Sequence, residues 1–226
     1  MLNARDLLLG VSGLSLIAAA TWRSRQADPP VREMISTPDA TTWVVSLVAA
    51  RDSFFAYSLE EAPTASDANW IVLLTDFGCA YCAGAITVMD SLASSHPSLH
   101  TAIVVLPRFV TDTAAMVKNK TARCAQRDRR FARFLLSAKA ELASPRGSGE
   151  TTTHQSDVAS LTADLQDCVA STETHRAMVA IRGFAERLFV PGTPFFVGPG
   201  GYYFGIPPYD SLVVVAGLRT LRRVPR

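Results

Sequence analysis

The chain has 226 residues, of which 48% are hydrophobic and four are cysteine, and its formal net charge is only +2. This length suits one core domain that carries a large insertion. The near-neutral composition gives no basis for predicting a nucleic-acid-binding protein. An even number of cysteines behind an apolar N-terminal run is typical of an oxidising compartment, where disulfides persist.

Residues 1–25 have the features of a targeting segment. Leu7 to Trp22 is an uncharged run of sixteen residues, longer than a typical signal-peptide core and shorter than a comfortable membrane span. The small residues 18–20 favour cleavage as a signal peptide, whereas Arg23 and Arg25 weaken an outward orientation of the rest. We expect export to the periplasm or another extracytoplasmic space. Retention as an inner-membrane anchor and a buried core helix are the alternatives.

The next stretch of the chain is less regular. Residues 26–30 include two prolines and are typical of a linker. Between Thr42 and Tyr57 the apolar residues follow no single period, so the pattern assigns neither helix nor strand. Residues 60–67 include Pro63 and several small polar residues, and they are predicted to form a loop.

The segment from Trp70 to Gly84 concentrates the predicted chemistry. Its first five residues are apolar and rich in β-formers, which predicts a strand buried on both faces. Helical spacing follows at Cys82, Ile86, Met89 and Ala93. Cys79 should therefore lie at or just before a helix N-terminus, whose free N–H groups and dipole stabilise a thiolate. Cys82 follows on the same turn, so the two cysteines can close and open a disulfide.

A structural zinc site and an inert disulfide are the alternatives for this Cys-x-x-Cys pair. Zinc usually needs four ligands, and the sequence has no second Cys-x-x-Cys. The other cysteines, Cys124 and Cys168, stand alone, with no histidine near either at ligand spacing. The pattern favours a redox pair. We expect neither a metal nor an organic cofactor.

A large helical segment follows a second predicted strand at Thr101–Leu106, which should run parallel to the first. The chain from Thr111 to Phe189 has helical periodicity, and this indicates an inserted helical subdomain. Its apolar stripes are Phe131, Phe134, Leu135, Ala138 and Leu142; Val158, Leu161, Leu165 and Cys168; and Met178, Ile181, Ala185 and Leu188. The polar segment 144–157 is predicted to be a loop, with Ser156 or Asp157 capping the next helix.

Cys124 and Cys168 are predicted to form a structural disulfide between two helices of the insertion. Cys168 lies on the second apolar stripe, and Cys124 continues a weaker one through Val117 and Thr121, so both should point inwards. Two separate reduced core cysteines are the alternative.

The C-terminal part is predicted to complete a sheet. A strand is expected at Phe195–Val197, and a Pro-Gly-Gly turn leads into Tyr202–Phe204 as in a β-hairpin. A final helix should begin at Tyr209 or Asp210 and continue to Arg223.

Three motifs together resemble those of the DsbA-like thiol-disulfide oxidoreductases of the thioredoxin superfamily. They are the runs Thr75–Cys82, Gly192–Phe196 and Gly205–Tyr209. The likeness spans roughly Trp70 to Leu218. It implies an α/β fold, the thioredoxin fold with an inserted α-helical subdomain.

The resemblance also implies a division of the chain. Residues 67–110 would form the first part of the thioredoxin fold with the Cys-x-x-Cys, residues 111–189 the helical insertion, and residues 190–226 the second part. Residues 26–66 would then provide a linker and N-terminal edge elements, with an edge strand from the unassigned region before Tyr57.

The expected activity is disulfide exchange with protein substrates. Cys79 would be the nucleophile and Cys82 the resolving thiol, with protein thiols or disulfides and a recharging redox partner as the partners. In the superfamily, the proline matching Pro194 follows a cis peptide bond and faces the Cys-x-x-Cys. This leaves the backbone of Thr193 free to pair with a substrate chain.

Two further residues are candidate modulators of this chemistry. Asp76 would modulate proton transfer during resolution, or would only cap the turn after the strand. Tyr81 would tune the leaving-group ability of Cys79, or would only lie on the surface. The alternative function is a non-enzymatic thioredoxin-fold protein that binds partners or delivers a metal ion.

Overall fold

The computed structural model describes four stretches of the chain: residues 38–64, 69–111, 113–143 and 153–218. Residues 43–226 form one structural unit and residues 1–42 another, of which only 38–42 are described. The targeting segment predicted at 1–25 lies outside the described residues. Within the described stretches, no helix combines the length and apolar character needed to cross a membrane.

A four-stranded mixed sheet with the order β2-β1-β3-β4 lies at the centre of the larger unit. Its strands are β1 Trp70–Thr75, β2 His100–Val105, β3 Phe195–Gly198 and β4 Gly201–Phe204. β1 and β2 are parallel, whereas β3 is antiparallel to both of its neighbours. Every residue of β1 and β3 is buried. The predicted strands and the C-terminal hairpin are therefore confirmed.

Helices connect and cover these strands. The described helices are α1 Pro38–Ala49, α2 Arg51–Ser58, α3 Cys82–Ser95, α4 Ala114–Arg127, α5 Phe131–Ala143, α6 Thr153–Asp164, α7 Gln166–Ala170, α8 Thr172–Arg187 and α9 Tyr209–Val215. α3 makes the crossover from β1 to β2, and α4 to α8 lie between β2 and β3. The inserted α-helical subdomain of the predicted fold class is confirmed.

The edge strand expected before Tyr57 is wrong, because this region forms α1 and α2. Leu47, Phe54 and Phe55 are buried and recur at helical spacing, but Ala50 separates the two helices and breaks the pattern. Trp43 also covers the sheet, with its ring centroid 4.5 Å from that of Tyr202. These residues supply core cover as helices.

Two predicted helix boundaries also need correction. α6 begins at Thr153, so Ser156 and Asp157 lie inside the helix. α9 ends at Val215 because Gly217 adopts a φ of 76° and its N–H bonds the carbonyl of Val214. This is a Schellman motif, which ends the helix. The predicted continuation from 219 onward lies outside the described residues.

A disulfide joins Cys124 on α4 to Cys168 on α7, with a Cα–Cα distance of 6.0 Å. The predicted pairing is confirmed. Cys124 is buried, and its sulfur lies 3.7 Å from the hydroxyl oxygen of Thr174, which is 3.4 Å from the sulfur of Cys168. The bond ties the first helix of the insertion to its later part.

Removing this disulfide should destabilise the fold. The bond spans a sequence separation of 44 residues, and closing a loop of that size stabilises a protein by about 2–4 kcal/mol. Urea unfolding of Cys124→Ala/Cys168→Ala should show a loss of that size. This variant and the reference protein that retains the disulfide should both carry Cys79→Ala/Cys82→Ala, so that no other thiol contributes to the difference in stability. Equal unfolding midpoints and slopes would contradict a structural role.

Candidate functional site

The Cys-x-x-Cys lies in the connection between β1 and α3. The N–H of Cys79 donates to the carbonyl of Asp76 at 2.9 Å, and the N–H of Cys82 donates to the carbonyl of Cys79 at 3.1 Å. The regular helix begins at Cys82, so Cys79 sits in the turn just before it, as the sequence indicated. Both thiols are free, with Cys79 partly exposed and Cys82 buried. A reagent or substrate can therefore approach Cys79 first.

The surroundings of Cys79 favour its thiolate and lower its pKa to about 6. The main cause is a hydrogen bond from the Cys82 thiol. Backbone N–H groups of Tyr81 and Cys82 and the side chain of Thr193 also lower this pKa, while burial acts in the opposite direction. Cys79 is therefore a thiolate near neutral pH.

The pKa of Cys82 shifts the other way. It is raised chiefly because the thiol donates its proton to Cys79, and burial raises it further. One sulfur thus carries the negative charge while the other keeps the proton. This division matches a nucleophile and a resolving thiol.

Thr193 lies directly beside Cys79 although the two are far apart in sequence. The sulfur of Cys79 is 3.6 Å from the carbonyl oxygen of Thr193, which accepts when the thiol is protonated. The Thr193 side chain instead favours the thiolate. The peptide bond between Thr193 and Pro194 is cis, and Pro194 is buried at the start of β3. The structure therefore brings Thr193 and the Cys-x-x-Cys together.

Asp76 holds the turn that carries Cys79. Its side chain is 3% exposed, and Oδ1 accepts from the N–H of Gly78 at 2.7 Å and from Nδ2 of Asn119 at 2.9 Å. Oδ2 accepts from the N–H of Arg108 at 2.6 Å. Asn119 in turn accepts from the N–H of Phe77 at 2.9 Å. The Asp76 carboxylate thus links its own turn to α4 and to the segment after β2.

Asn119 is the site residue that the sequence did not reveal. It is buried within α4, surrounded in sequence by basic residues, and its partners lie more than 40 positions away. The one local signal is that asparagine is a poor residue for a helix interior. Such a residue persists where its side chain has another task, which here is to hold Asp76 and Phe77.

Gly78 allows α4 to approach this turn closely. A Cβ atom at Gly78 would lie 2.5 Å from the Cβ of Ala115, which is too short for any real contact. Only glycine fits between the turn and the start of α4 without a shift of the helix. The position of the insertion and the position of Cys79 therefore depend on each other.

A cleft of about 710 Å³ opens beside Cys79. Tyr81, Phe109 and Phe204 contribute exposed aromatic side chains, and the Tyr81 side chain is 71% exposed. Arg182 on α8 donates to the carbonyl of Arg108 at 2.8 Å and so fixes one wall. The exposed Tyr81 side chain fits the interpretation that it only lies on the surface. Its backbone N–H, in contrast, lowers the pKa of Cys79.

Within the described stretches, no group of three or more His, Cys, Asp or Glu residues could hold a metal ion.

Several solved structures share this architecture at low sequence identity. The thiol-disulfide exchange protein alpha-DsbA2 from Wolbachia pipientis is 15% identical, with a TM-score of 0.61, over 81% of this chain and 99% of that one. A linker-deletion variant of ScsC from Proteus mirabilis is 14% identical, with a TM-score of 0.59, over 96% of each chain.

DsbA2 from Pseudomonas aeruginosa is 17% identical, with a TM-score of 0.53, over 71% of this chain and 94% of that one. No protein-family profile and no curated protein sequence matches the chain. The likeness shows that the chain has the thioredoxin fold of the DsbA-like proteins, with its helical insertion, as predicted.

The first test of the site concerns the charge on Cys79. Because its pKa is lowered to about 6, the iodoacetamide alkylation rate of the reduced protein should rise between about pH 5 and 7 and then level off. An ordinary thiol would gain reactivity only near its pKa of about 8.5. Cys79→Ser should remove this labelling, since Cys82 stays protonated and buried. Labelling of Cys82 before Cys79 would contradict the assignment.

A second test concerns the hydrogen bonds of Asp76. In Asp76→Asn, the new NH₂ group must face at least one of the three N–H donors that the carboxylate now accepts from. The free energy of unfolding should fall by about 1–3 kcal/mol, measured by urea titration. Asp52→Asn, at a side chain 74% exposed, is the matched control and should cost less than about 0.5 kcal/mol. Equal stabilities for the two variants would contradict the role assigned to Asp76.

Proposed function

We propose that this chain is an exported protein thiol-disulfide oxidoreductase of the DsbA-like kind, which exchanges disulfides with protein substrates through Cys79 and Cys82. The observation that carries this proposal is the asymmetry of the pair. A partly exposed sulfur with a lowered pKa sits over a buried sulfur with a raised pKa. Thiol-disulfide exchange needs a thiolate that substrate can reach and a second thiol that substrate cannot reach.

In the oxidising direction, the Cys79–Cys82 disulfide accepts two electrons from a substrate dithiol. A substrate thiolate attacks the sulfur of Cys79, and the Cys79–Cys82 bond breaks as the mixed disulfide forms. Cys82 leaves as a thiolate and takes up a proton. A second substrate thiolate then attacks the substrate sulfur of the mixed disulfide and releases Cys79 as a thiolate. The substrate gains a disulfide and the protein is reduced.

In the reducing direction, the Cys79 thiolate attacks a substrate disulfide and expels one substrate thiolate. Cys82 then loses its proton to solvent and attacks Cys79, which breaks the bond between Cys79 and the substrate. The protein ends with its own disulfide, and a separate redox partner must restore it. Apart from protons exchanged with solvent, both reactions form and break only bonds between cysteine sulfurs, so no cofactor is needed.

The lowered pKa of Cys79 favours the oxidising direction. A stabilised thiolate lowers the free energy of the reduced protein relative to its disulfide, which makes the disulfide a stronger oxidant. We therefore expect the Cys79–Cys82 disulfide to be more oxidising than a disulfide between two cysteines of ordinary pKa.

The cleft beside Cys79 fits an extended, partly unfolded polypeptide. The Thr193 backbone lies next to the reacting sulfur, where it can pair with the main chain of a substrate. Tyr81, Phe109 and Phe204 around it offer apolar contacts for substrate side chains. Because main-chain pairing is independent of sequence, this surface suits many protein substrates.

Export is supported by the Cys124–Cys168 disulfide, since such bonds persist in oxidising compartments. Residues 1–25 would direct the chain to the periplasm or another extracytoplasmic space. They would act as a cleaved signal peptide or would remain as an inner-membrane attachment.

The proposed activity is tested by trapping the mixed disulfide. Cys82→Ser should accumulate covalent complexes with an unfolded model substrate whose cysteines are capped as mixed disulfides with a small thiol. The Cys79 thiolate attacks the substrate sulfur and expels the small thiol, and the complex persists because the resolving thiol is missing. Cys79→Ser should give few such complexes. Dithiothreitol should reduce the complexes of Cys82→Ser and release the substrate. The complexes are measured as shifted bands on non-reducing gels. If neither variant forms complexes and the unaltered protein does not reduce insulin, the proposal is refuted.

A further inference from the structure

The hydroxyl of Thr75 is a buried polar group without a hydrogen bond. Thr75 is the last residue of β1 and is fully buried, and its Oγ1 has no hydrogen-bond partner within the described stretches. A buried hydroxyl left unpaired costs about 1–3 kcal/mol. Valine has nearly the same shape and an even stronger preference for strands. The hydroxyl therefore calls for an explanation other than packing.

The neighbour of this hydroxyl is the sulfur of Cys82. The Thr75 side chain lowers the pKa of Cys82 and so favours its thiolate, and the backbone of Asp76 does the same. Thr75, the last residue of β1, and Asp76, directly after it, thus present donors to the buried sulfur. The Thr75 hydroxyl forms no hydrogen bond within the described stretches, and a protonated sulfur would offer it only a weak acceptor. A thiolate at Cys82 would be a strong one.

The other groups around Cys82 change during catalysis. In the reduced protein, the hydrogen bond to Cys79 and its negative charge hold the proton on Cys82. In the mixed disulfide, Cys79 is bonded to the substrate sulfur and is no longer charged, so both of these effects disappear. The Asp76 carboxylate already accepts hydrogen bonds from Gly78, Asn119 and Arg108. Burial then opposes ionisation of Cys82, and the donors at the end of β1 are left to favour it.

We propose that the Thr75 hydroxyl donates a hydrogen bond to the Cys82 thiolate during resolution of the mixed disulfide and thereby speeds the release of substrate. In this step Cys82 gives its proton to solvent, its sulfur bonds to Cys79, and the bond between Cys79 and the substrate sulfur breaks. The substrate leaves as a thiolate and takes a proton from solvent. The inference rests on the proposed function, because it concerns the second half of the same exchange.

The two halves of the reaction can be observed separately with 5,5′-dithiobis(2-nitrobenzoate). Attack by Cys79 releases one thionitrobenzoate and leaves a second on the protein as a mixed disulfide. Attack by Cys82 then releases the second thionitrobenzoate. Both releases are followed by absorbance in a stopped-flow experiment. The first phase reports Cys79 and the second reports Cys82.

Thr75→Val should slow the second phase about tenfold, the size expected for loss of one hydrogen bond to a charged group. The pH at which the second phase reaches half its maximal rate should rise by about one unit. Thr75→Ser keeps the hydroxyl and should retain a rate within about threefold of the unaltered protein. Thr101→Val, a matched exchange on β2, should change neither phase. The thermal midpoint of Thr75→Val should not fall, since the lost hydroxyl has no partner in the resting protein.

An unchanged second phase in Thr75→Val would overturn the inference. So would an equally slow second phase in Thr75→Ser, because the methyl group and not the hydroxyl would then be responsible. If Thr75→Val does not fold, the rates of Thr75→Ala and Thr75→Ser decide the question in the same way. Absence of a second phase in the unaltered protein would instead refute the proposed function of the pair.

Discussion

The buried Asp76 carboxylate is the interaction on which the geometry of the site depends. It accepts hydrogen bonds from its own turn, from Asn119 on α4 and from the backbone of Arg108 after β2. A buried carboxylate is tolerated only when its oxygens are satisfied, so these three segments must meet before the charge can be enclosed. The turn that presents Cys79 is thus held by the insertion as well as by the sheet. The helical insertion is therefore a structural part of the site.

The chemistry of the pair follows from where this turn leaves the two sulfurs. Cys79 lies before the first helical turn and meets backbone N–H groups and Thr193, whereas Cys82 begins α3 and is buried below. The shared proton stays on Cys82 because moving it to Cys79 would leave a charge in the interior. Reactivity is therefore set by position along one turn of chain. The same burial that shields Cys82 from solvent also makes its ionisation difficult. The donor proposed at Thr75 would ease that ionisation.

Local sequence patterns predicted the elements that carry the cysteines, because β1 is a continuous apolar run and α3 repeats apolar residues at helical spacing. The pairing of Cys124 with Cys168 was also predictable from two apolar stripes. The proximity of Thr193 to Cys79 came only from resemblance, since 114 positions separate them. Asn119 was missed because its partners are set by how α4 docks. The prediction of an edge strand was wrong because the break at Ala50 interrupts the helical pattern that α1 and α2 share.

α4 connects the turn that carries Cys79 to the rest of the insertion through two of its faces. Ala115 and Asn119 are one turn apart and face the turn before α3, where they contact Gly78 and Asp76. Cys124 is nine residues after Ala115, which places it about half a turn away, on the side bonded to α7. The helix is therefore clamped between the turn and the later part of the insertion. Because Asn119 must meet Asp76 within hydrogen-bond distance, a bond that restrains the far side of α4 also restrains the surroundings of Cys79.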